Sequence, residues 1–365
     1  MTFPEPVERN MIEADGIRIE IWEPELIVIP RPKNTNSVGI PLQINVLISN
    51  NTHTPFPFVN HLLMLEMVGA DAQVIHLTRL IDRKLTTSPY RGISIPPKRA
   101  IVRSLSGKLS KANNWFDFQA SIYTYSTIPI NPDSSWSFET LQLGTYQLRF
   151  TYINPSEEFS FKDLATGQII TVEKKEAELL TSPWVNLRLV EPVETNKNAV
   201  EVDGIRFETL VPQPTISVSL TQPDFNISVQ IGMQITNNAS TPLRFTSFDS
   251  LIPFLIGADG LIPSQSYGGS HGWVLPKESD FRLVMPGSNV AFFPKVHLVR
   301  QADKLLKLIV PSGGRGSWKF NDLKLGKYQV GLTYRSLTDK PDLLFEDLWM
   351  GMVSAPFVEF HLVEC

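Results

Sequence analysis

The 365-residue chain has a single cysteine, Cys365, which is its last residue. An internal disulfide is therefore excluded, whereas secreted β-sandwich domains often contain one. We expect a protein of the reducing cytoplasm. The chain also lacks any run of five or six like charges, and its formal net charge is −4. These features argue against a nucleic-acid arm or a polybasic membrane patch.

Long apolar segments are absent as well. No stretch of 18 apolar residues occurs, and residues 1–9 lack the apolar core of a secretory signal. We therefore expect no membrane span and no membrane partner. Charged residues make up only 19% of the chain, below the usual quarter, while 28 prolines exceed 21 glycines. Low charge with abundant proline favours many short strands and loops over long helices.

The sequence contains an internal repeat that covers most of its length. The matched segments keep the same order in both halves and pair as 13–18 with 201–206, 48–58 with 235–245, 68–71 with 256–259, 136–148 with 318–330, 161–167 with 345–351, and 183–191 with 356–364. A repeat of about 180 residues is too long for a solenoid unit, so each copy is expected to have its own core. We predict domains at 12–191 and 200–365, joined by a polar linker at 192–199.

Short segments with alternating apolar and polar residues predict half-buried strands, for example at 17–22, 42–48 and 215–220. Residues 173–180 have the composition of a short helix, and the Phe-x-Asp-Leu segments at 161–164 and 345–348 are expected to be at most a few turns long. No strand–helix–strand alternation occurs. The fold class predicted is all-β, with two tandem immunoglobulin-like β-sandwich domains related by internal duplication.

The motif Leu-x-Leu-Gly-x-Tyr occurs at 141–146 and again at 323–328. It resembles the corner before strand F of immunoglobulin-like sandwiches, where a tyrosine hydroxyl bonds back to nearby backbone. The tyrosines in this position are Tyr146 and Tyr328, and the glycines two residues earlier are Gly144 and Gly326. We assign all four residues structural roles.

The order of signals in each copy resembles bacterial immunoglobulin-like domains of the intracellular proteinase inhibitor (BsuPI-type) family. The second copy has the Asn-Asn strand end at 237–238, Pro-x-x-Phe at 242–245, Gly-x-Asp-Gly at 257–260, a Pro-Gly turn at 286–287, and Gly-x-Tyr at 326–328. The first copy departs from this pattern, because it lacks the Pro-Gly turn and has Ala72 in place of the second glycine. The resemblance implies the fold, and no inhibitory residue is transferred because no reactive loop can be matched.

Charged positions shared by the copies are few. Asp15 and Asp203, each followed by glycine, are interpreted as turn residues in which the carboxylate accepts backbone N–H bonds. The six histidines do not repeat between copies and lack the spacing of zinc ligands. We therefore predict no metal, no cofactor and no catalytic residue.

The candidate binding residues lie in a glycine-rich segment of the second copy, namely Tyr267, His271 and Trp273. Flexible glycines carrying aromatic side chains are typical of recognition loops. The corresponding part of the first copy offers Tyr90 and Arg91, which have a different chemistry. If both segments are binding loops, the two copies are not expected to bind the same ligand.

The sequence contains no nucleophile elbow, P-loop or dinucleotide fingerprint. We predict that the chain is not an enzyme but a binding or scaffold protein, with another protein as its partner. Two alternatives stay open. One is an intracellular protease inhibitor or regulator, and the other is a hydrolase with an unrecognised site. The oligomeric state is not predicted.

Overall fold

The computed structural model describes residues 13–22, 24–32, 39–76, 79–80, 90–112, 115–122, 134–153, 158–172, 179–222, 224–269, 276–301, 305–314, 316–336 and 345–365. Within these ranges the chain is all-β with sandwich-like sheets, which confirms the predicted class at that level. The helical elements of the described part are two short 3-10 turns, at Asn60–Leu62 and Glu278–Asp280. No helix in the described ranges has the length and apolar character needed to cross a membrane.

The strands before residue 191 are β1 (Glu13–Ala14), β2 (Ile17–Ile21), β3 (Leu26–Pro30), β4 (Ile40–Asn50), β5 (Phe56–Val59), β6 (Leu63–Gly69), β7 (Arg79–Leu80), β8 (Tyr90–Ile95), β9 (Arg99–Ala112), β10 (Trp115–Ile122), β11 (Ser134–Leu141), β12 (Gly144–Ile153), β13 (Phe159–Asp163), β14 (Ile169–Val172), β15 (Leu179–Thr181) and β16 (Val185–Val190).

The strands after it are β17 (Ala199–Val202), β18 (Ile205–Leu210), β19 (Thr215–Val218), β20 (Asn226–Val229), β21 (Gly232–Asn237), β22 (Leu243–Thr246), β23 (Leu251–Gly257), β24 (Gln265–Gly269), β25 (Phe281–Val284), β26 (Asn289–Phe292), β27 (Val296–Arg300), β28 (Leu306–Pro311), β29 (Gly316–Leu323), β30 (Gly326–Arg335), β31 (Met352–Ser354) and β32 (Val358–Glu364).

The chain divides into two compact units whose bounds differ from the predicted domains. Unit 1 comprises residues 1–25 and 41–187, and unit 2 comprises 26–40 and 188–365. The unit bounds therefore differ from the predicted 12–191 and 200–365, since 26–40 and 188–199 are assigned to unit 2. The predicted linker is also structured: the N–H of Val193 donates to the carbonyl of Ala199 at 2.9 Å, and the N–H of Ala199 donates to that of Asn196 at 3.1 Å.

In unit 1, one sheet has the strand order β1-β2-β4-β9-β10-β11-β7. A second group of strands forms around β12, which pairs with β6 on one edge and with β15 on the other. A smaller sheet has the order β14-β13-β8-β5. The core between these layers contains large buried side chains, including Phe58, Phe118, Trp136, Phe150 and Tyr152.

In unit 2, the corresponding layers have the orders β17-β18-β21-β26 and β20-β27-β28-β29-β24. A further group forms around β30, which pairs with β23 on one edge and with β32 and β31 on the other. Its core includes an aromatic cluster whose ring centroids lie 4.9–6.3 Å apart, formed by Phe207, Phe245, Tyr334 and Trp349.

The two units share several registers. Tyr146 lies opposite Gly69 and Tyr152 opposite Leu63 in unit 1. In unit 2, Tyr328 lies opposite Gly257 and Tyr334 opposite Leu251. Buried and partly exposed residues alternate along β16 and β18, as half-buried strands require.

The two recurring tyrosines have the hydrogen bonds of a tyrosine corner. The hydroxyl of Tyr146 accepts a bond from the N–H of Gln142 at 2.8 Å and donates to its carbonyl at 3.0 Å. The hydroxyl of Tyr328 makes both bonds with Lys324, each at 2.9 Å. Each residue is only 8% exposed, so these bonds satisfy polar groups at the edge of each core.

Asp15 and Asp203 lie in hairpin turns, as their Asp-Gly sequence predicts. Asp15 has φ 49° and Gly16 φ 75°, and Asp203 and Gly204 have φ 50° and 78°. Two successive positive φ values fit the two-residue turns that join twisted antiparallel strands. Arg188 also forms an ion pair with Asp203, with 2.7 Å between Nη1 and Oδ1.

The predicted helix at 173–180 is wrong where it can be judged. Residues 173–178 lie outside the described residues, but Leu179 and Leu180 belong to β15. Leu180 is 4% exposed and pairs with Tyr152. The local helical preference of this segment is a fraction of a kcal/mol per residue, so burial and ladder bonds outweigh it. Residues 159–163 are likewise strand β13 and not a helical turn.

Candidate functional site

Of the residues predicted to bind, Tyr267 lies on β24 and not in a loop, so that part of the prediction is wrong. Strand β24 is the last in the described order of its sheet. The Tyr267 ring lies 4.8 Å from that of Trp318 on β29, and its hydroxyl is 3.3 Å from Oγ of Ser312. A Cβ added to Gly316 would come within 1.9 Å of this hydroxyl, so any larger residue there would require the Tyr267 side chain to shift. Tyr267 is 52% exposed and forms an aromatic surface with Trp318.

The other predicted residues are not brought to this surface. His271 and Trp273 lie outside the described residues. Tyr90 and Arg91 belong to unit 1, and their backbone lies within strand β8 rather than in a loop. Strand β8 is flanked by β5 and β13, with Tyr90 opposite Phe161. The interpretation of 90–91 as a loop is therefore wrong, because the backbone of these two residues pairs in register with β13.

A surface groove of about 510 Å³ lies at one end of unit 2. One wall is the segment 257–264, which follows β23, and the other is the tyrosine corner at 321–328. Both walls contain motifs that recur in the sequence, Gly-Ala-Asp and Leu-x-Leu-Gly-x-Tyr. The sequence pattern had assigned these motifs only to turns and packing.

Backbone bonds hold both walls of the groove. The N–H of Gly257 donates to the carbonyl of Leu261 at 2.8 Å, and Oδ1 of Asp259 accepts from the N–H of Leu261 at 2.9 Å. The N–H of Asn321 donates to the carbonyl of Ser264 at 2.9 Å, which joins the two walls. A groove whose walls are fixed in this way is preformed, which reduces the entropy lost on binding.

Apolar side chains at the rim of the groove are exposed. Leu261 is 68% exposed, Ile262 49% and Leu325 36%. Isolated exposed apolar residues are normal on protein surfaces, whereas a cluster around a concave site indicates an interaction site. We call these three residues the apolar rim.

Charges of both signs line the groove, from Asp259, Asp322, Lys324 and Lys327. Burial raises the pKa of Tyr328, against the bond from the Lys324 N–H, and the nearby carboxylate of Asp259 raises it further. The hydroxyl is therefore protonated at neutral pH and acts as a hydrogen-bonding group. Within the described ranges, no three His, Cys, Asp or Glu residues lie close enough together to hold a metal ion.

Unit 1 has a related but different arrangement at the corresponding turn. The N–H of Ala72 donates to the carbonyl of Gly69 at 3.0 Å, as that of Gly260 does to Gly257 at the same distance. After this turn, however, the chain in unit 1 returns to β6, because the N–H of Ile75 donates to the carbonyl of Met67 at 2.9 Å. In unit 2 the equivalent segment runs to β29 and forms the groove wall.

Comparison with known proteins gives little that bears on this site. No family model matches the chain, and no curated protein matches it. Among solved structures, it is similar to a transglutaminase from red sea bream, with 8% identity and a TM-score of 0.22. The alignment covers 96% of this chain but only 32% of that structure, so the chain spans about a third of its length. A similarity this low carries no argument about fold or activity.

One prediction from the sequence is withdrawn. The chain was predicted not to be an enzyme, and the structure named above is an enzyme. We withdraw that prediction and transfer no catalytic residue in its place.

The apolar rim was missed from the sequence. Leu261 and Ile262 follow an Asp-Gly turn, so their segment has the pattern of a connecting loop. The available signal was the placement of two adjacent large apolar residues in that loop, where polar residues are usual. Whether this loop lines a groove depends on how strands that are distant in the sequence pack against each other.

Proposed function

We propose that the chain consists of two immunoglobulin-like domains related by duplication, and that it binds other proteins. The duplication is supported by the matched registers and by one buried amide. Nδ2 of Asn50 donates to the carbonyls of Thr54 at 2.8 Å and Ile95 at 2.9 Å. Asn237 donates to the carbonyls of Thr241 and Val284 at the same two distances.

The binding role rests on one observation, the preformed groove of unit 2 with its apolar rim. Its volume lies within the range of ligand sites, about 300–1,000 Å³. The apolar rim leaves three large side chains in water, and covering them gains about 25 cal/mol per Å² of buried apolar surface. The gain is available only to an occupant that has apolar side chains of its own.

The charges indicate which occupant fits. Two carboxylates and two ammonium groups line the groove, so its net charge is near zero. A nucleic acid or a free phosphate would find no net positive field there. We propose an extended segment of another protein, with a large apolar side chain placed against Leu261 and Ile262 and few charges beside it.

Panning of a displayed peptide library on the full chain tests this proposal. We expect enriched peptides to share a large apolar residue and to lose at least tenfold in affinity for the double variant Leu261→Asp, Ile262→Asp. Each carboxylate introduced at the rim would have to lose its hydration when a peptide covers it, which weakens binding. The matched control is Leu283→Asp, at a residue 46% exposed on β25, which should bind as the unchanged chain does.

Two outcomes would overturn the proposal. One is that no peptide is enriched over an unrelated β-sandwich control. The other is that enriched peptides bind the double variant and the unchanged chain equally. A thermal unfolding curve for each variant shows that the groove substitutions leave the fold intact.

A further inference from the structure

Strand β3 comes from the N-terminal half of the sequence, yet it belongs to unit 2. It pairs in parallel with β31, with Ile27 opposite Met352 and Val28 opposite Val353. Ile27, Val28 and Ile29 are all fully buried. A continuous apolar run of this kind is typical of a strand covered on both faces. Strands β3 and β31 thus join edge to edge through their backbones.

Each of these two strands has a counterpart in the other copy. Strand β19 lies parallel to β32, with Thr215 opposite His361. Strand β3 lies in the same way beside the last residues of β16, because the N–H of Arg31 donates to the carbonyl of Val190 at 2.7 Å. Thus β19 is the counterpart of β3.

Strand β15 is the counterpart of β31. Thr181 of β15 lies opposite Thr151 of β12, and Ser354 of β31 lies opposite Thr333 of β30. Strand β3 pairs with β31, so the equivalent pairing of their counterparts would join β19 to β15. These two strands lie in different units, and each ends the described strand order of its sheet. Strand β2 passes near β15, but its ladder partners are β1 and β4.

The backbone groups at the two edges can be assigned from the bonds on the inner sides. The carbonyls of Pro214 and Val218 accept bonds from β32, and bonding alternates along a strand. Thr215 and Ser217 therefore direct their N–H and C=O groups to the outer edge of β19. On β15, the N–H of Ser182 donates to Phe150 of β12 at 2.8 Å.

By the same alternation, Thr181 and Leu179 direct their backbone groups to the outer edge of β15. Leu179 is also 63% exposed, although it is apolar. Exposed strand edges are templates for pairing with another chain unless they are blocked by proline, charge or a covering element. Strands β19 and β15 contain neither proline nor a charged residue.

We propose that β19 of one chain pairs in parallel with β15 of a second copy, as β3 pairs with β31 within unit 2. This inference rests on the duplication in the proposed function. The contact joins two different surfaces, so it is head-to-tail and leaves a further edge of each kind at the ends. Assembly therefore grows with concentration. With only three or four residues in each strand, the contact is weak.

Sedimentation velocity of the full chain over a dilution series tests the proposal. We expect the mean mass to rise with concentration for the unchanged chain. Ser217→Pro removes the outward N–H of β19 and spares its bonds to β32, and Thr181→Pro does the same at β15. Each variant alone should remain a monomer. Ser217→Ala keeps the N–H and should assemble as the unchanged chain does.

A mixing experiment distinguishes head-to-tail pairing from other contacts. The Ser217→Pro chain retains an intact β15, and the Thr181→Pro chain retains an intact β19. Their equimolar mixture should therefore form a dimer and stop there. A chain that stays monomeric at every concentration, a proline variant that assembles normally, or a mixture that stays monomeric would each overturn the proposal.

Amide exchange on the unchanged chain avoids any folding defect of the proline variants. The N–H groups of Ser217 and Thr181 should become protected at high concentration and exchange freely at low concentration; free exchange at both would contradict the pairing. Groove binding should be unaffected by either proline. An unchanged chain that binds peptide but stays monomeric would reject only this inference, whereas an unchanged chain that assembles but binds no peptide would reject only the binding role in the proposed function.

Discussion

Unit 1 and unit 2 form the same local hydrogen bonds to their buried polar groups. They differ in the contacts that hold the segment that follows β12 in unit 1 and β30 in unit 2. In unit 1, Asp163 on β13 accepts bonds from the N–H groups of Ser94, Ala165 and Thr166 and from the Thr166 hydroxyl. In unit 2, the corresponding residue Asp347 forms an ion pair with Arg244, with 3.0 Å between Oδ1 and Nε.

The two units also differ in the strand to which this segment bonds. The chain at β13 pairs with β8 in unit 1. In unit 2, the N–H of Arg244 on β22 donates to the carbonyl of Asp347 at 2.8 Å. The docking pair of unit 2 is more exposed than the buried amides that both units contain. Asn50 and Asn237 are fully buried, so their loss leaves backbone groups unsatisfied, whereas the Arg244–Asp347 pair is partly solvated and exchanges readily with water.

The largest effect is expected from the shared buried amide. Asn50→Ala and Asn237→Ala should each lower the free energy of unfolding of their unit by about 3 kcal/mol, because several backbone groups lose their partners. Chemical denaturation measures both, and Asn289→Ala, at an exposed residue, is the control. A difference between the two variants larger than about 1 kcal/mol would break the equivalence of the units.

The second-largest effect on stability is expected to differ between the two units. Asp163→Ala should cost about 2 kcal/mol, since four donors lose a carboxylate acceptor. Asp347→Ala should cost less than about 1 kcal/mol, as expected for a partly exposed ion pair. Equal losses in chemical denaturation would show that the two docking modes are energetically the same.

The same residue predicts a pH dependence. Burial alone would raise the pKa of Asp163, but the Thr166 hydroxyl and the N–H groups of Ser94, Ala165 and Thr166 together lower it. The contribution of ionised Asp163 to the free energy of unfolding is therefore complete above its pKa in the unfolded chain, about 4. This contribution is lost as the pH falls through its lower pKa in the folded chain. Asp163→Asn should flatten this acid loss, and Asp347→Asn serves as the comparison.

A smaller effect is expected at alkaline pH. Burial raises the pKa of Tyr152 and of Tyr334, against the bond that each hydroxyl accepts from backbone, and Tyr328 is raised as well. The stability of the fold is therefore unaffected below the unfolded pKa of about 10 and falls above it, because only the unfolded chain ionises readily. Unit 2 contains two of these tyrosines.

Denaturation from pH 8 to 11.5 measures this loss. Tyr334→Phe and Tyr152→Phe should each reduce the slope of unfolding free energy against pH, and each should cost about 1 kcal/mol at neutral pH from the lost hydroxyl bonds. Tyr267→Phe, at an exposed tyrosine, is the control for the substitution itself. An unchanged slope in Tyr334→Phe would mean that its hydroxyl ionises as freely in the folded state as in water.

The smallest effect concerns the turn before the groove. Ala72 has φ 60° where Gly260 has φ 77°, and a residue with a Cβ pays about 1 kcal/mol for this conformation. Ala72→Gly should stabilise unit 1 by about 0.5 kcal/mol after the added chain entropy, and Gly260→Ala should destabilise unit 2 by about 1 kcal/mol. Thermal unfolding measures both, with Ala70→Gly as the control. Destabilisation by Ala72→Gly would indicate that the turns are not equivalent.

Much of the strand pattern was predictable from the sequence, because alternation and turn residues act locally. The turns at Asp15 and Asp203 and the bonds of Tyr146 and Tyr328 follow from a few neighbouring residues. Of the candidate site, the sequence predicted Tyr267 as an exposed aromatic residue. It did not predict the groove, since Leu261 becomes a groove residue only when β23 and β29 pack in one unit.

The amino-acid sequence by itself determined that the chain is built of short strands, that the halves share their turns, and that no disulfide joins them. Only the tertiary structure decided that β3 belongs to unit 2, that Leu179 and Leu180 form a strand, and that Asp347 bonds to Arg244. Local preferences amount to fractions of a kcal/mol per residue, whereas burial and ladder bonds between distant segments are larger and depend on which strands meet.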